Sequence, residues 1–259
     1  NNELGVPLTL ARLSADPTFA VVEMGASQKG DIAYLKSMAA PHVVVLLNAL
    51  EAHVGRFGSL EAIVETKGEI LDDLTASDTA VINADQAHYS AWQLRAAPAR
   101  IISFGESSTA DVQLMNFIDR GFDGSDITVD AMGTEISLRL SIPGKGGVTN
   151  ALAATAAAVA LDIDVSVITQ GIEALSPVEG RGNTLHLDKG IRLIDDSYNA
   201  SPSSVMAALD SLKHARPPRT AVLADMLELG DDGPDYHREV GRHLLDLGIE
   251  RVITVGELS

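Results

Sequence analysis

The sequence predicts an α/β protein: a domain built on a mostly parallel sheet, followed by a smaller, partial domain of dinucleotide-fold-like form. Three observations carry that reading. Short apolar, β-rich runs alternate with longer helix-patterned stretches through residues 19–104, the rhythm of parallel strands joined by right-handed crossovers. A second alternation of the same kind runs from Ile191 to Val255, the β-α-β-α-β order of half a dinucleotide fold. Between them, residues 111–140 change to short alternating segments such as EISLRL, a period-two signal.

In chain order, residues 19–24, 43–48, 80–83 and 100–104 are the first strand candidates, each running into a turn or helix signal. Residues 30–39 and 59–74 read as helices; the second carries a stripe of Leu60, Ile63, Val64, Ile70, Leu71 and Leu74, the apolar face of a packed helix. Residues 111–140 predict a small antiparallel insertion. Residues 150–161, NALAATAAAVAL, predict a buried helix whose small side chains allow close approach. Then come a strand at 191–195, a helix at 203–214, a strand at 219–224, a helix at 236–247 and a strand at 251–255. A boundary at Gly180-Arg181-Gly182 divides the chain into domains 1–179 and 180–259. The chain opens without Met on NNELGVP and stops three residues after Gly256, so a fragment cut at both ends is expected.

Composition narrows the function classes. With 46% hydrophobic residues in 259, a substantial core is available, which excludes a disordered chain. Nineteen Lys and Arg against 36 Asp and Glu leave a net charge of −17, which repels nucleic-acid phosphates and anionic membrane surfaces. No nucleic-acid partner is expected, and an anionic ligand would need locally concentrated cations or metal ions. The absence of cysteine excludes disulfides, zinc–thiolate sites and a Cys nucleophile and fits a reducing compartment. No apolar run of about 18 residues marks a membrane span, and no signal-peptide layout opens the chain, so a soluble intracellular protein is expected.

Glu23 follows the apolar run FAVV. A carboxylate at the carboxyl end of a parallel strand faces the crevice where such sheets bind ligands, and its hard oxygens suit Mg²⁺; the alternative is a helix cap. His53 lies five residues beyond Asn48, and Lys67 sits within a helix pattern; each is a ligand only if it converges with Glu23, and otherwise a loop histidine and a solvated lysine. Asn83-Ala84-Asp85 closes the next strand, as an Asx turn or as a ligand contact. Pro143-Gly144-Lys145-Gly146-Gly147 lacks the spacing of a phosphate loop and reads as a turn into the alanine-rich helix. Asp195-Asp196-Ser197-Tyr198-Asn199 puts two acids, an aromatic ring and an amide at a strand end, where a functional group and a simple turn are both open.

Taken as whole words, VVEMGASQKGDI, NALEAHVGRFGSLEAIVETKGEI, NADQ, NALAATAAA, GRGN, IDDSYNASPSSVMAAL and ADMLELG resemble the Mur ligases, ATP-dependent amide ligases of peptidoglycan-precursor synthesis. The resemblance runs over essentially the whole chain. It implies most of a central ATPase domain followed by a truncated C-terminal domain, in a monomeric, cytoplasmic enzyme. ADMLELG favours the branch that joins D-alanyl-D-alanine to a UDP-N-acetylmuramoyl-tripeptide through an acyl phosphate. Rivals are the folylpolyglutamate or tripeptide-forming branches, and a non-catalytic nucleotide-binding derivative. By the family pattern Glu23 and His53 bind Mg²⁺, and Lys67, carbamylated by CO₂, supplies an anionic oxygen to a second Mg²⁺. Asn83 and Asn150 fall on the nucleotide side, Arg181 and Asp195 on the interdomain and ribose side of ATP, and Tyr198 and Asn199 in the closing cleft. Three departures stand out: no Gly-Lys-Thr phosphate loop occurs in the chain, Gly146-Gly147 replaces His-Asn beside the adenine, and Ser27-Gln28 replaces Asn-His.

Overall fold

The computed structural model describes residues 1–50 and 57–259. His53 therefore lies outside the described residues. The larger domain carries helices α1 (Gly5–Ala11) and α2 (Asp31–Ala39), strand β1 (Val43–Leu46), helix α3 (Leu60–Gly68), β2 (Thr79–Asn83), α4 (Tyr89–Ala96), β3 (Arg100–Gly105), β4 (Val112–Asp119), β5 (Ser125–Ala131), β6 (Thr134–Leu140), α5 (Gly144–Ala160) and α6 (Val165–Glu173). The smaller domain carries β7 (Asn183–His186), β8 (Arg192–Asp195), α7 (Pro202–Lys213), β9 (Thr220–Ala224), α8 (Gly233–Leu247) and β10 (Arg251–Val255).

Strands β1 to β6 form one sheet in sequence order, parallel from β1 through β4 and antiparallel from β4 to β6. Strand β2, TAVIN, is buried at every residue, as a parallel strand covered on both faces must be. Its period-two alternation sends Val81 to one face, with Ile102, Phe104, Val129 and the α5 side chains Ala151, Leu152 and Ala156. Ala80 and Ile82 face the other way, toward Ile63, Leu71, Trp92 and Ala96 of the α3–α4 layer. The sheet is thus sandwiched, and the alanines of α5 let that helix lie close against it.

Several expectations are corrected. Residues 19–24 form no strand: among the described residues they join no ladder, and Val21 is 93% exposed. An apolar run becomes a strand only where a neighbour offers hydrogen bonds, and none does here. Residues 111–140 do form antiparallel hairpins, as expected; what the pattern did not give is that they extend the main sheet, Val112 and Gln113 pairing in parallel with Phe104 and Gly105. The helix expected over 59–74 ends at Gly68 and tightens into a 3-10 turn over Glu69–Leu71. The alanine-rich helix starts at Gly144, which places Gly146 and Gly147 inside its first turn. Finally β8 pairs antiparallel with β7 and not with β9, so only β9 and β10 form the parallel pair of the smaller domain.

Gly146 and Gly147 are not equivalent. A Cβ at Gly146 would meet nothing within 4 Å, whereas one at Gly147 would lie 2.6 Å from the Ile142 carbonyl oxygen. Backbone cannot give way as a side-chain tip can, so any side chain at 147 forces the helix start off its seat. Gly147→Asn is expected to destabilise the fold by about 1–3 kcal/mol in urea titration. Gly146→Ala, at an open helical position, should stabilise it by about 0.5–1 kcal/mol.

Candidate functional site

The polar residues that end the parallel strands are tied to one another. Asn83 closes β2 and is 3% exposed. Its amide nitrogen donates to Asn48 Oδ1 at 2.8 Å, and its Oδ1 accepts the Asp85 N–H at 2.9 Å. Gln86 Oε1 accepts the Ala49 N–H at 3.1 Å. The Asp85 carboxylate reaches across to β3, accepting the Glu106 N–H at 2.8 and 3.0 Å and the Ser107 N–H at 3.0 Å. This close approach requires Gly105: its φ is +153°, and a Cβ there would lie 2.6 Å from the Asp85 oxygens. The word NADQ therefore braces the exits of three adjacent strands. Asn83, expected on the nucleotide side, spends its amide atoms on Asn48 and Asp85.

The smaller domain repeats the device. Asp225, just past β9, accepts the N–H groups of Glu257, Leu258 and Ser259 at 3.0, 3.1 and 2.7 Å, beyond Gly256 at φ +122°. The turns it and Asp85 hold read VGELS and FGES.

Glu23 lies on the extended segment ahead of α2, with an exposed side chain whose Oε2 is 3.5 Å from the amino group of Asn1. Lys67 occupies the last turn of α3. Its side chain is exposed by surface area, and desolvation of the ammonium lowers its pKa below the ordinary lysine value. The neutral amine is the form that reacts with CO₂, and a carbamate there would give Mg²⁺ the oxygen donor that lysine lacks; Glu23 would supply another hard oxygen. The donor chemistry of these two residues thus fits the implied metal. Two residues beyond Lys67, the buried carboxylate of Glu69 accepts the N–H groups of Gly30 and Ala33 at 2.7 and 3.2 Å. The segment leaving Glu23 is in this way docked onto the turn that follows Lys67.

At the domain boundary the Arg181 guanidinium lies 4.1 Å from the centroid of the Tyr198 ring, a cation–π contact. The Tyr198 N–H donates to the Gly180 carbonyl at 3.0 Å, which holds the boundary turn against the end of β8. Asp195 accepts the Ser197 hydroxyl at 2.6 Å and the Ser197 N–H at 3.2 Å; these bonds, the hydroxyl foremost, hold its carboxyl below the ordinary 3.8. Tyr198 and Asn199 are exposed. Helix α7 follows with a Ser201–Ser204 capping box and Pro202 in its first turn, the reason the chain turns so sharply here. Arg181, Asp195, Tyr198 and Asn199 are therefore brought to one edge. Asn150 is exposed on α5, nearly two turns inside the helix.

A cleft of about 390 Å³ opens between the two domains, lined by Asn2, Glu3, Gly25, Ser27 and Asp31 on one side and Glu228 on the other. Glu228, at φ +64°, belongs to the ADMLELG word, and its place in the cleft was not read from sequence. Neither were Asn48, Glu69 and Gln86. Only the clustering of polar residues at strand ends pointed toward the last of these.

Fold and site together define a two-domain α/β protein in which Asn83 and Asp85 stand at the carboxyl edge of a parallel sheet, where open sheets of this class bind ligands, and in which a polar cleft lies between the domains. Residues 1–158 match the Mur ligase middle domain, and residues 180–259 match the Mur ligase, glutamate ligase domain. The chain belongs to the Mur ligase family. It is 36% identical over 259 residues to the UDP-N-acetylmuramoyl-tripeptide–D-alanyl-D-alanine ligase of Haemophilus influenzae, covering all of this chain and 56% of that protein. The crystal structure of MurF from Acinetobacter baumannii superposes with a TM-score of 0.94 at 31% identity, over 100% of this chain and 56% of the other. MurF ligase from Thermotoga maritima, solved in complex with ADP, gives a TM-score of 0.84 at 29% identity, over 98% of this chain and 58% of the other. The chain thus spans about half the length of the relatives it matches.

Asn83→Ala removes both bonds of a buried amide and leaves Asn48 and Asp85 short of a partner. It should cost about 1–3 kcal/mol in urea titration. The Asp195 bonds have a pH signature. Because its folded value lies below 3.8, its stabilising contribution is complete above the ordinary aspartate value and is lost as pH falls through the lowered one. In an NMR titration the Ser197 and Tyr198 amide shifts should move over that acid range, and in Asp195→Asn they should stay flat.

Proposed function

We propose that this chain forms the ATP-binding and C-terminal parts of a monomeric cytoplasmic ligase that joins D-alanyl-D-alanine to a UDP-N-acetylmuramoyl-tripeptide. The observation that carries the reading is the unbroken match, through both domains, to ligases named for that reaction. Residues 1–179 and 180–259 act as two bodies that close on the cleft lined by Gly25, Ser27, Asp31 and Glu228.

In the reaction, a terminal carboxylate oxygen of the tripeptide attacks the γ-phosphorus of ATP, and the bond to ADP breaks. The amine of D-alanyl-D-alanine then adds to the acyl phosphate carbon. The tetrahedral adduct collapses to the amide, expelling inorganic phosphate, and the amine proton is lost to solvent or base. Mg²⁺ held by Glu23, His53 and carbamylated Lys67 would neutralise phosphate charge that a chain at −17 otherwise repels. The lowered pKa of Lys67 favours this role; the neutral amine nitrogen adds to CO₂ and releases a proton, converting a cation to an anion. Arg181 and Asp195 face the nucleotide from the smaller domain, and Asn150 faces it from α5. Tyr198 holds Arg181 over its ring and, with Asn199, lines the cleft that excludes water from the acyl phosphate. Asn83 serves from beneath by bracing Asn48.

The test uses the full-length protein that carries this sequence. Phosphate release should require ATP, the UDP-linked tripeptide and D-alanyl-D-alanine together. Release driven instead by glutamate or a single amino acid would reassign the branch, and no release with any amine would leave a non-catalytic derivative. Lys67→Ala should lower turnover by at least about 10²-fold, unrelieved by bicarbonate. ¹³C-bicarbonate should label a carbamate in the wild type and none at this position in Lys67→Ala.

A further inference from the structure

Helix α2 begins without a cap of its own. Its N-cap residue is Gly30, at φ +93°, which brings no side chain to the first-turn N–H groups. Those groups are satisfied from another element: Glu69 Oε1 accepts the Gly30 N–H at 2.7 Å and Oε2 accepts the Ala33 N–H at 3.2 Å, across 39 and 36 residues of chain. One carboxylate thereby meets the two donors that a capping box meets with two local side chains, at the positive end of the helix. Glu69 is 5% exposed.

A local Ser or Asp at the N-cap would satisfy the helix without burying a charge, which is costly. What the distant carboxylate adds is a fixed relation between two segments. On one side, Asp31 accepts the N–H groups of Ser27 and Gln28 at 2.8 and 3.0 Å, so the loop after Glu23 is folded onto the first turn of α2. On the other, Glu69 stands two residues beyond Lys67, in a turn anchored by Arg95, whose guanidinium grips the Asp72 carboxylate at 2.5 and 2.7 Å. The far half of α2 has a separate tie, from the Lys36 ammonium to the Asp72 carbonyl.

We propose that Glu69 is a positioning residue: its buried carboxylate sets the loop that follows Glu23 against the turn that carries Lys67, so that both groups serve one metal–nucleotide site. The proposal rests on the ligase reading above. Loss of the Glu69 bonds lets the Glu23 segment swing with the start of α2 while the sheet and Lys67 stay in place. Loss of the Lys36 bond loosens the same helix at the end away from Glu23.

The experiment uses the full-length protein, with Mn²⁺ as the probe and a non-hydrolysable ATP analogue present; free Mn²⁺ is read by electron paramagnetic resonance and stability by thermal melting. Glu69→Gln should weaken Mn²⁺ binding about ten-fold or more, and Lys36→Met should leave it within about two-fold of wild type despite a comparable drop in Tm. Wild-type Mn²⁺ affinity in Glu69→Gln overturns the proposal, as does an equal loss in both variants, which would make the role one of general helix docking. If Glu69→Gln does not fold, Glu69→Asp, which keeps the charge and shortens the reach, is read by the same criteria. A wild-type protein that binds no Mn²⁺ with the analogue defeats the ligase reading itself, and the positioning role with it. Binding in the wild type with no change in the variants defeats the positioning role alone.

Discussion

Where a parallel strand ends, its backbone leaves the ladder and the next N–H groups must find acceptors elsewhere. In this protein those acceptors are side chains sent across from neighbouring strands. Asp85 holds the turn beyond β3, Gln86 holds Ala49 beyond β1, and Asn83 holds the Asn48 side chain. Each bond crosses from one strand exit to another, so the carboxyl edge of the sheet is a single braced surface. The core sets where this surface lies, because β2 is buried on both faces and cannot slide.

The same economy appears at α2 and at the smaller domain. Glu69 caps a helix from a distance, and Asp225 repeats for β9 and β10 what Asp85 does for β2 and β3. In the last two cases a glycine at positive φ lets the carboxylate approach, and Cβ atoms there would overlap it. These acids count toward the charge of −17, and each spends its oxygens on backbone N–H groups. Acids spent on scaffolding are thereby distinguished from exposed ones such as Glu23.

Much of the fold was legible because its signals are local. The alternation in TAVIN and the small-residue run of α5 both report their own secondary structure through side-chain period. The family words brought Lys67, Arg181 and Asp195 into view at once, and the structure adds the Arg181–Tyr198 contact that the words did not contain. The errors share a cause. Residues 19–24 have the composition of a strand and no partner, and β8 finds β7 in place of β9. The pair Gly146-Gly147 reads as two replaced side chains beside a base; that the Cβ direction of Gly147 is closed by Ile142 while that of Gly146 is open is visible only in three dimensions.

By itself the sequence determined the α/β class, the family, and which residue types stand at the strand ends, since propensity, periodicity and motif are properties of neighbouring residues. Only the tertiary structure decided that Asn83 is a brace, that Glu69 joins the Glu23 segment to the Lys67 turn, and that Gly146 and Gly147 differ. Each of these depends on a direction in space or on a bond between residues tens of positions apart. Such pairs are chosen by how packed layers meet, and no local pattern records them.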